Sequence, residues 1–241
     1  MCVVGLVTAL RDEARCVSTT DIAFNEPIHI NDHAILWLSG MGEQSARAAA
    51  EGLHNSGVKA LVSFGVAGAL DPDLKPGDLV LPESIYAGKV LPVTIAWRNR
   101  LQDLLPNNIT VVGGTLASSL VPLTCEKEKI DLANAIGACA VDMESGAVAE
   151  VAAAAGIPFI AVRAIIDPVQ FSPPVALLSA VYPDGRVNPV RLIALLLKRS
   201  VHLSSLIRMG AGMHTARKTL SAVIQSAGAG LASQANDQLV V

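Results

Sequence analysis

Residues 141–167 constrain the fold more than any other part of the chain. Val141-Asp142-Met143-Glu144-Ser145-Gly146 leads into a run from Ala147 to Ala155 that is almost all small and apolar. A helix of such residues is packed on most sides and can lie close against a sheet. Gly156 supplies a helix C-cap. Pro158 then opens a continuous apolar run of strand length, as a central parallel strand covered on both faces requires. Two charges interrupt that run: Arg163 inside it, and Asp167 at its carboxyl end, before Pro168. Ligands of open α/β sheets sit outside the carboxyl ends of strands. Glu144, at the head of the helix, has an ordinary explanation in the helix dipole, and Asp167-Pro168 has one as a strand-ending turn. Arg163 is different, because a guanidinium inside an apolar strand must be paired. The three together mark a site.

The rest of the chain alternates strands and helices. Val3 to Thr8 is a first strand feeding a helix that begins near Ala9, so Glu13 lies just past a strand's carboxyl end; alone, it reads as a solvated charge. Residues 19–32 are polar and irregular. Ala34 to Leu38 is a strand ending in Ser39-Gly40-Met41-Gly42, with a helix from Glu43 to Ser56. Val58 to Phe64 is a third strand, and Gly65-Val66-Ala67-Gly68 a second glycine turn that lets backbone approach a ligand. Asp78 to Pro82 is a strand, Trp97 to Leu105 a short helix, and Ile109 to Leu116 a strand bent at Gly113-Gly114. Glu126 to Ile136 reads as a helix capped by Thr124, with Glu126, Lys127, Glu128 and Lys129 on a solvated face. The proline-rich loop 168–174 is placed to act as a lid or mouth. Val190 to Leu206 reads as an amphipathic helix and His214 to Gln225 as a last one, with a disordered tail from about Ala227. The expectation is an α/β single domain over residues 1–200, a central mixed twisted sheet flanked by helices on both faces, with a helical C-terminal extension over 201–241.

Composition limits the partners. Half of the 241 residues are hydrophobic but only 3% are aromatic, so the core is built from Ala, Val, Leu and Ile. A net charge of -3 without a basic stripe gives no case for nucleic acid. Cys2, Cys16, Cys125 and Cys139 lack metal spacing and read as buried thiols in a reducing compartment, so no metal is expected. The first glycine turn lacks the third glycine and downstream acid of a dinucleotide site, and no cofactor is expected. The N-terminus has no basic segment leading an apolar run and no run reaches transmembrane length, which points to the cytoplasm.

With these residues in place, the chain resembles the purine nucleoside phosphorylase and methylthioadenosine/adenosylhomocysteine nucleosidase superfamily over roughly its first 200 residues. Val141 to Ala149 looks like that superfamily's ribose-binding Met-Glu segment, and Val162-Arg163-Ala164-Ile165-Ile166-Asp167 like its Arg-Ala-Ile-Ser-Asp strand end. The turns at 39–42 and 65–68 and the segment 9–13 fall where its other site loops belong. Residues 140–149, the loop 167–174 and the C-terminal helices look like the hopanoid-associated phosphorylase branch, linked to release of adenine from adenosylhopane. The resemblance implies Asp167 as the general acid at purine N7, and Glu144, with Met143, on the ribose hydroxyls. Glu13 and Arg163 would hold the nucleophile, either water or phosphate as co-substrate. Gly42, Gly65, Val66, Ala67 and Gly68 would line the substrate.

The chain departs from the superfamily's pattern in three places. Ile166 replaces the serine before the acid, so whatever orients Asp167 must come from elsewhere. Val66 replaces a serine in the second glycine turn. No stacking aromatic is evident around Leu123 to Lys127. Three readings follow: adenine release from a lipid-linked 5′-modified adenosine; the same chemistry on methylthioadenosine or adenosylhomocysteine; or a non-catalytic nucleoside-binding module. The apolar residues Ile193, Leu195, Leu196, Leu197, Leu203, Leu206 and Ile207, with Lys198, Arg199 and Arg208, suit either a peripheral membrane contact or packing on the core or a second subunit. A homo-oligomer is expected by resemblance.

Overall fold

The computed structural model describes residues 3–18, 22–182, 184–198 and 200–228; Cys2, Arg199 and the tail after Gly228 lie outside the described residues. One strand carries the architecture. β4 (Ala60–Ala69) is ten residues long and pairs with three others. Its first half lies parallel to β1 (Val4–Thr8), which in turn pairs with β3 (Ala34–Leu38). Its last residues, Gly68 and Ala69, run antiparallel to β10 (Ala138–Asp142), and Leu61 to Gly68 lie parallel to β11 (Phe159–Asp167). Beyond these lie β2 (Pro27–Asn31), β5 (Leu79–Val80), β6 (Ser84–Tyr86), β7 (Val90–Pro92), β8 (Val111–Val112) and β9 (Thr115–Ser118). Among the described residues these form one mixed eleven-stranded sheet. Burial explains the choice: every residue of β1, and all but one of β11, is inaccessible, as continuous apolar runs at the centre of a sheet require.

Helices cover both faces. α2 (Glu43–Asn55) packs on α5 (Ser145–Ala155) over β1 and β4, with Ala46, Ala49 and Ala50 buried on α2 and Ala147, Val148, Ala149, Val151 and Ala152 on α5. α1 (Arg11–Val17) and α7 (Leu203–Ala227) pack together against β4 and β11. α3 (Ile95–Asp103), α4 (Glu126–Ile136) and α6 (Pro189–Leu197) complete the set.

Several expectations change. The second glycine segment is not a turn: Gly65 to Gly68 continues β4, because Arg163 and Glu13 fill the space where a Gly65 Cβ would stand. The polar stretch before residue 32 contains β2, an edge strand alternating between exposed and half-buried residues, which its polarity concealed. The single strand expected over 109–116 is two, β8 and β9, separated at Gly113-Gly114, where Gly114 takes φ +88°. The helix expected to reach residue 206 ends at Leu197, and α7 runs unbroken from Leu203.

At the end of β11 the register slips. Ile165 pairs with Ala67 and Asp167 with Gly68, leaving Ile166 as the extra residue. Bulges of this kind re-aim the side chain that follows. α7 backs this point so closely that a Cβ at Gly212 would overlap the Ile166 carbonyl. Gly212→Ala is therefore expected to lower stability by about 1–3 kcal/mol, the usual range for overpacking. Gly210→Ala, two residues away on the other side of the helix with open space at its Cβ, should be neutral or stabilising by up to about 1 kcal/mol. Paired thermal melts check the contrast; equal midpoints would show that α7 does not brace the bulge.

Candidate functional site

Arg163 is 1% exposed and lies where β4, β10, β11 and the head of α5 converge. Its Nη2 meets Asp142 Oδ2 at 2.7 Å and the Ser63 hydroxyl at 2.6 Å, and Nε and Nη2 both reach Ser145 Oγ. Glu144 Oε2 stands 3.9 Å away. Burial opposes the guanidinium charge, and Asp142, Glu144 and Glu13 outweigh it. The acid partner that an apolar strand demanded is thus chiefly Asp142, two residues from the acid picked out by motif. Asp142 also accepts from the Ser145 amide, fixing the start of α5.

Glu144 occupies the N-cap position of α5. Its Oε1 accepts from the Gly42 amide at 2.8 Å; Gly42 sits at φ +94°, a region that favours glycine. Burial pushes the Glu144 carboxyl up to about 7, with Arg163 pulling it down. Glu13 is 1% exposed, and its carboxylate accepts three backbone amides: Ala9 at 2.9 Å, Leu10 at 2.8 Å and Val66 at 2.9 Å. It is not a solvated surface charge, and burial holds its carboxyl above the ordinary range. Val66 contributes its amide, where a serine would have offered a hydroxyl.

Asp167 is 7% exposed and packs against Gly68. Burial raises its carboxyl, and the ammonium of Lys129 draws it back. Lys129 corrects the reading of α4 as wholly solvated. While Glu126, Lys127 and Glu128 face solvent, Lys129 is 2% exposed and pairs with Asp167 Oδ2. It also donates to the carbonyls of Pro168 at 3.0 Å and Phe171 at 2.9 Å. The N-cap of α4 is Cys125, without a side-chain cap bond. Thr124 instead bonds Glu128 through its amide and hydroxyl.

Two cavities of about 160 Å³ meet here. One is lined by Leu10, Glu13, Met41, Ala67, Glu144 and Ile166; the other by Val121, Pro122, Leu123, Lys129, Asp167 and Pro173. Gly68, Val141, Asp142 and Met143 belong to both. The sequence-predicted residues Glu13, Gly42, Gly65 to Gly68, Met143, Glu144, Arg163 and Asp167 are thus brought together. Sequence reasoning missed Lys129, Asp142, Ser63 and Ser145. Asp142 had a signal in its place beside Glu144, whereas Lys129 had none in an alternating acidic and basic helix. Among the described residues no cluster of metal-ligating side chains occurs.

A model of the phosphorylase superfamily matches residues 26–197, a span that holds Lys129, Glu144, Arg163 and Asp167 and begins after Glu13. A 5′-methylthioadenosine/S-adenosylhomocysteine nucleosidase of Buchnera aphidicola is 26% identical over 195 residues, 68% of this chain and 77% of its own. The Mycobacterium bovis protein of that name is 27% identical over 55% of this chain and 69% of its own. Among solved structures, the Neisseria meningitidis nucleosidase in complex with methylthio-immucillin-A superposes with a TM-score of 0.70 at 16% identity, covering 94% of this chain and 98% of its own. Helicobacter pylori futalosine hydrolase gives 0.67 at 18% identity, covering 93% and 97%.

Glu13, Glu144 and Asp167 are all held above the ordinary carboxylate range by burial. Between the ordinary glutamate value of about 4.5 and the Glu144 value of about 7 in the folded protein, the native state keeps a proton that the unfolded chain has released. Stability therefore declines as pH rises through that window. The melting temperature of the ligand-free protein should fall between about pH 5 and about pH 8, and Glu144→Gln should flatten the slope. A midpoint that climbs across the window would contradict the assignment.

Proposed function

The chain belongs to the phosphorylase superfamily, and on that premise we propose that it cleaves the N-ribosidic bond of a 5′-modified adenosine by hydrolysis, releasing adenine. The observation that carries this reading is the wall shared by the two cavities, which sets Asp167 and Glu144 to either side of Asp142 and Met143. One nucleoside spans that distance with its base against Asp167 and its ribose against Glu144. Val121, Pro122 and Leu123 form an aliphatic slot for the base, in place of an aromatic face.

Each residue then has a task. Asp167 gives a proton to purine N7 as the bond to the sugar breaks. Glu144, in the ionised form it takes above about pH 7, accepts the ribose hydroxyls and faces the cationic sugar, a contact stronger in the transition state than in the ground state. Glu13, fixed by three amides, orients a water and takes its proton. Arg163 is a positioning residue, since its donors go to Asp142, Ser63, Ser145 and the Val66 carbonyl. This spent guanidinium favours water over phosphate. The cavity that holds Glu13 and Glu144 is lined by acids without a cation among the described residues, and a phosphate dianion meets repulsion there.

The 5′ group is proposed to be bulky and apolar, with adenosylhopane of hopanoid biosynthesis as the substrate. The supporting feature is the outer surface of α6 and the start of α7, where Val190, Ile193, Leu197, Leu203 and Ile207 are all more than half exposed near Arg191, Lys198 and Arg208. Such a surface suits a peripheral membrane contact, or the homo-oligomer expected of the superfamily. No helix of the described residues is long and apolar enough to cross a membrane. The second reading takes methylthioadenosine or adenosylhomocysteine, as the curated relatives are named to do.

Adenine release from adenosylhopane, methylthioadenosine and adenosylhomocysteine, each with and without phosphate, separates these. We expect turnover that phosphate does not accelerate and a preference for the lipid. Asp167→Asn should lower kcat by roughly 10²–10⁴, the range of a positioned general acid. Phosphate dependence would overturn hydrolysis. Tight adenosine binding without release, under either condition, would make the chain a nucleoside-binding module instead.

A further inference from the structure

We propose that Lys129 and Asp167 act as one proton-holding pair, with Lys129 the positioning residue that does what a hydroxyl at position 166 does in the superfamily's pattern. The inference rests on Asp167 being the general acid. Ile166 is a bulged residue with no polar side chain to offer. Lys129 reaches the same carboxylate from α4, thirty-eight residues earlier in sequence. Its three N–H donors have three acceptors: Asp167 Oδ2, the Pro168 carbonyl and the Phe171 carbonyl. The ammonium thus fixes the orientation of the acid and closes the loop that follows it.

Burying a lysine is costly, and an apolar side chain would fill the site more simply. The chemistry supplies a reason. An ammonium against a carboxylate holds one proton in total, the same number as an amine against a carboxylic acid. Burial penalises the charged arrangement, which brings the two forms closer. The acid form is then available without drawing a proton from solvent at the moment of reaction. As the N9–C1′ bond breaks, its electron pair stays on the purine. One proton passes from Lys129 Nζ to Asp167 Oδ2, and the carboxyl gives it to N7. Adenine leaves neutral. The attacking water loses a proton as it bonds to C1′, and the Lys129 amine takes one back from solvent once the site empties, so the count balances. Of the charged groups around the pair, Asp142 is committed to Arg163, Glu144 lies across the shared wall, and Arg208 stacks over the Phe171 ring at 4.6 Å. All three persist when Lys129 is replaced.

The test is the pH profile of adenine release, with methylthioadenosine as the probe, for the wild type, Lys129→Met, Lys129→Gln, Lys129→Arg and Asp167→Asn, with folding checked by circular dichroism. With Lys129 beside Asp167 sharing the proton, the alkaline limb of wild-type kcat should lie above that of the lysine-free variants. In Lys129→Met and Lys129→Gln, Asp167 titrates alone. The alkaline limb should move down by roughly one unit or more and kcat near pH 8 should fall about tenfold, with KM within about threefold. Lys129→Arg keeps the charge but cannot give up a proton, so it should leave the limb as low as in the Met and Gln variants. Folded Met and Gln variants with the wild-type profile, alongside an inactive Asp167→Asn, would overturn the pair and leave the proposed function standing. An active Asp167→Asn would overturn both.

Discussion

The ion pair between Arg163 and Asp142 is the constraint on which the centre of the molecule depends. It is fully buried on both sides, where breaking a pair by removing one partner costs about 3–5 kcal/mol. It also joins elements distant in sequence. Ser63 comes from β4, Asp142 ends β10, Ser145 opens α5 and the arginine itself belongs to β11. The position of Glu144 follows, because α5 starts where Asp142 and Ser145 fix it. So does the glycine content of β4: Gly65 is the gap into which the guanidinium and the Glu13 carboxylate lie. A sheet of apolar strands would close over this point without the pair; with it, the sheet carries a polar seam that opens at the carboxyl ends of its strands.

Much of this was legible in the sequence, and the illegible parts share a physical cause. Arg163 in an apolar run required a partner, and Glu144 and Asp167 stood at a helix head and a strand end, where site residues gather. Their convergence follows from the strand–helix–strand order. Lys129 was hidden because helix periodicity says only which residues share a face. It does not say that the loop after a distant strand covers one residue of that face. β4 was cut short because glycine usually signals a turn, and here its missing side chain makes room for charges inside a strand. β2 was missed since an edge strand needs apolar residues on one side only. The break before α7 at residues 198–202 carries no glycine or proline, so an amphipathic pattern ran through it unmarked.

The bulge at Ile166 links the fold to the chemistry. Without the extra residue, Asp167 would continue the strand's alternation and point to the opposite side. With it, the carboxyl turns toward Gly68 and Lys129. The bulge is held from behind by α7, whose Gly212 admits the Ile166 carbonyl. Gly212, Ala216, Leu220, Val223 and Ala227 form the buried stripe of that helix, with its smallest residue at the point nearest the acid. Asp167 is therefore positioned by two helices, α4 through a charge and α7 through the absence of a side chain.

On the proposed hydrolysis, the same charges that choose the nucleophile also serve the sugar. Glu13, Asp142 and Glu144 surround a single guanidinium, so the nucleophile end of the cavity has more acid than base. A phosphate dianion would add negative charge to that surplus. Water adds none, and the ribosyl group passing through a cationic state meets a field already directed at it, with no reorganisation needed at the moment of reaction. An arginine free to clamp phosphate would weaken that field. By committing Arg163 to Asp142 and two serines, the structure uses this buried guanidinium for architecture and, on the proposed mechanism, leaves the carboxylates to face the substrate.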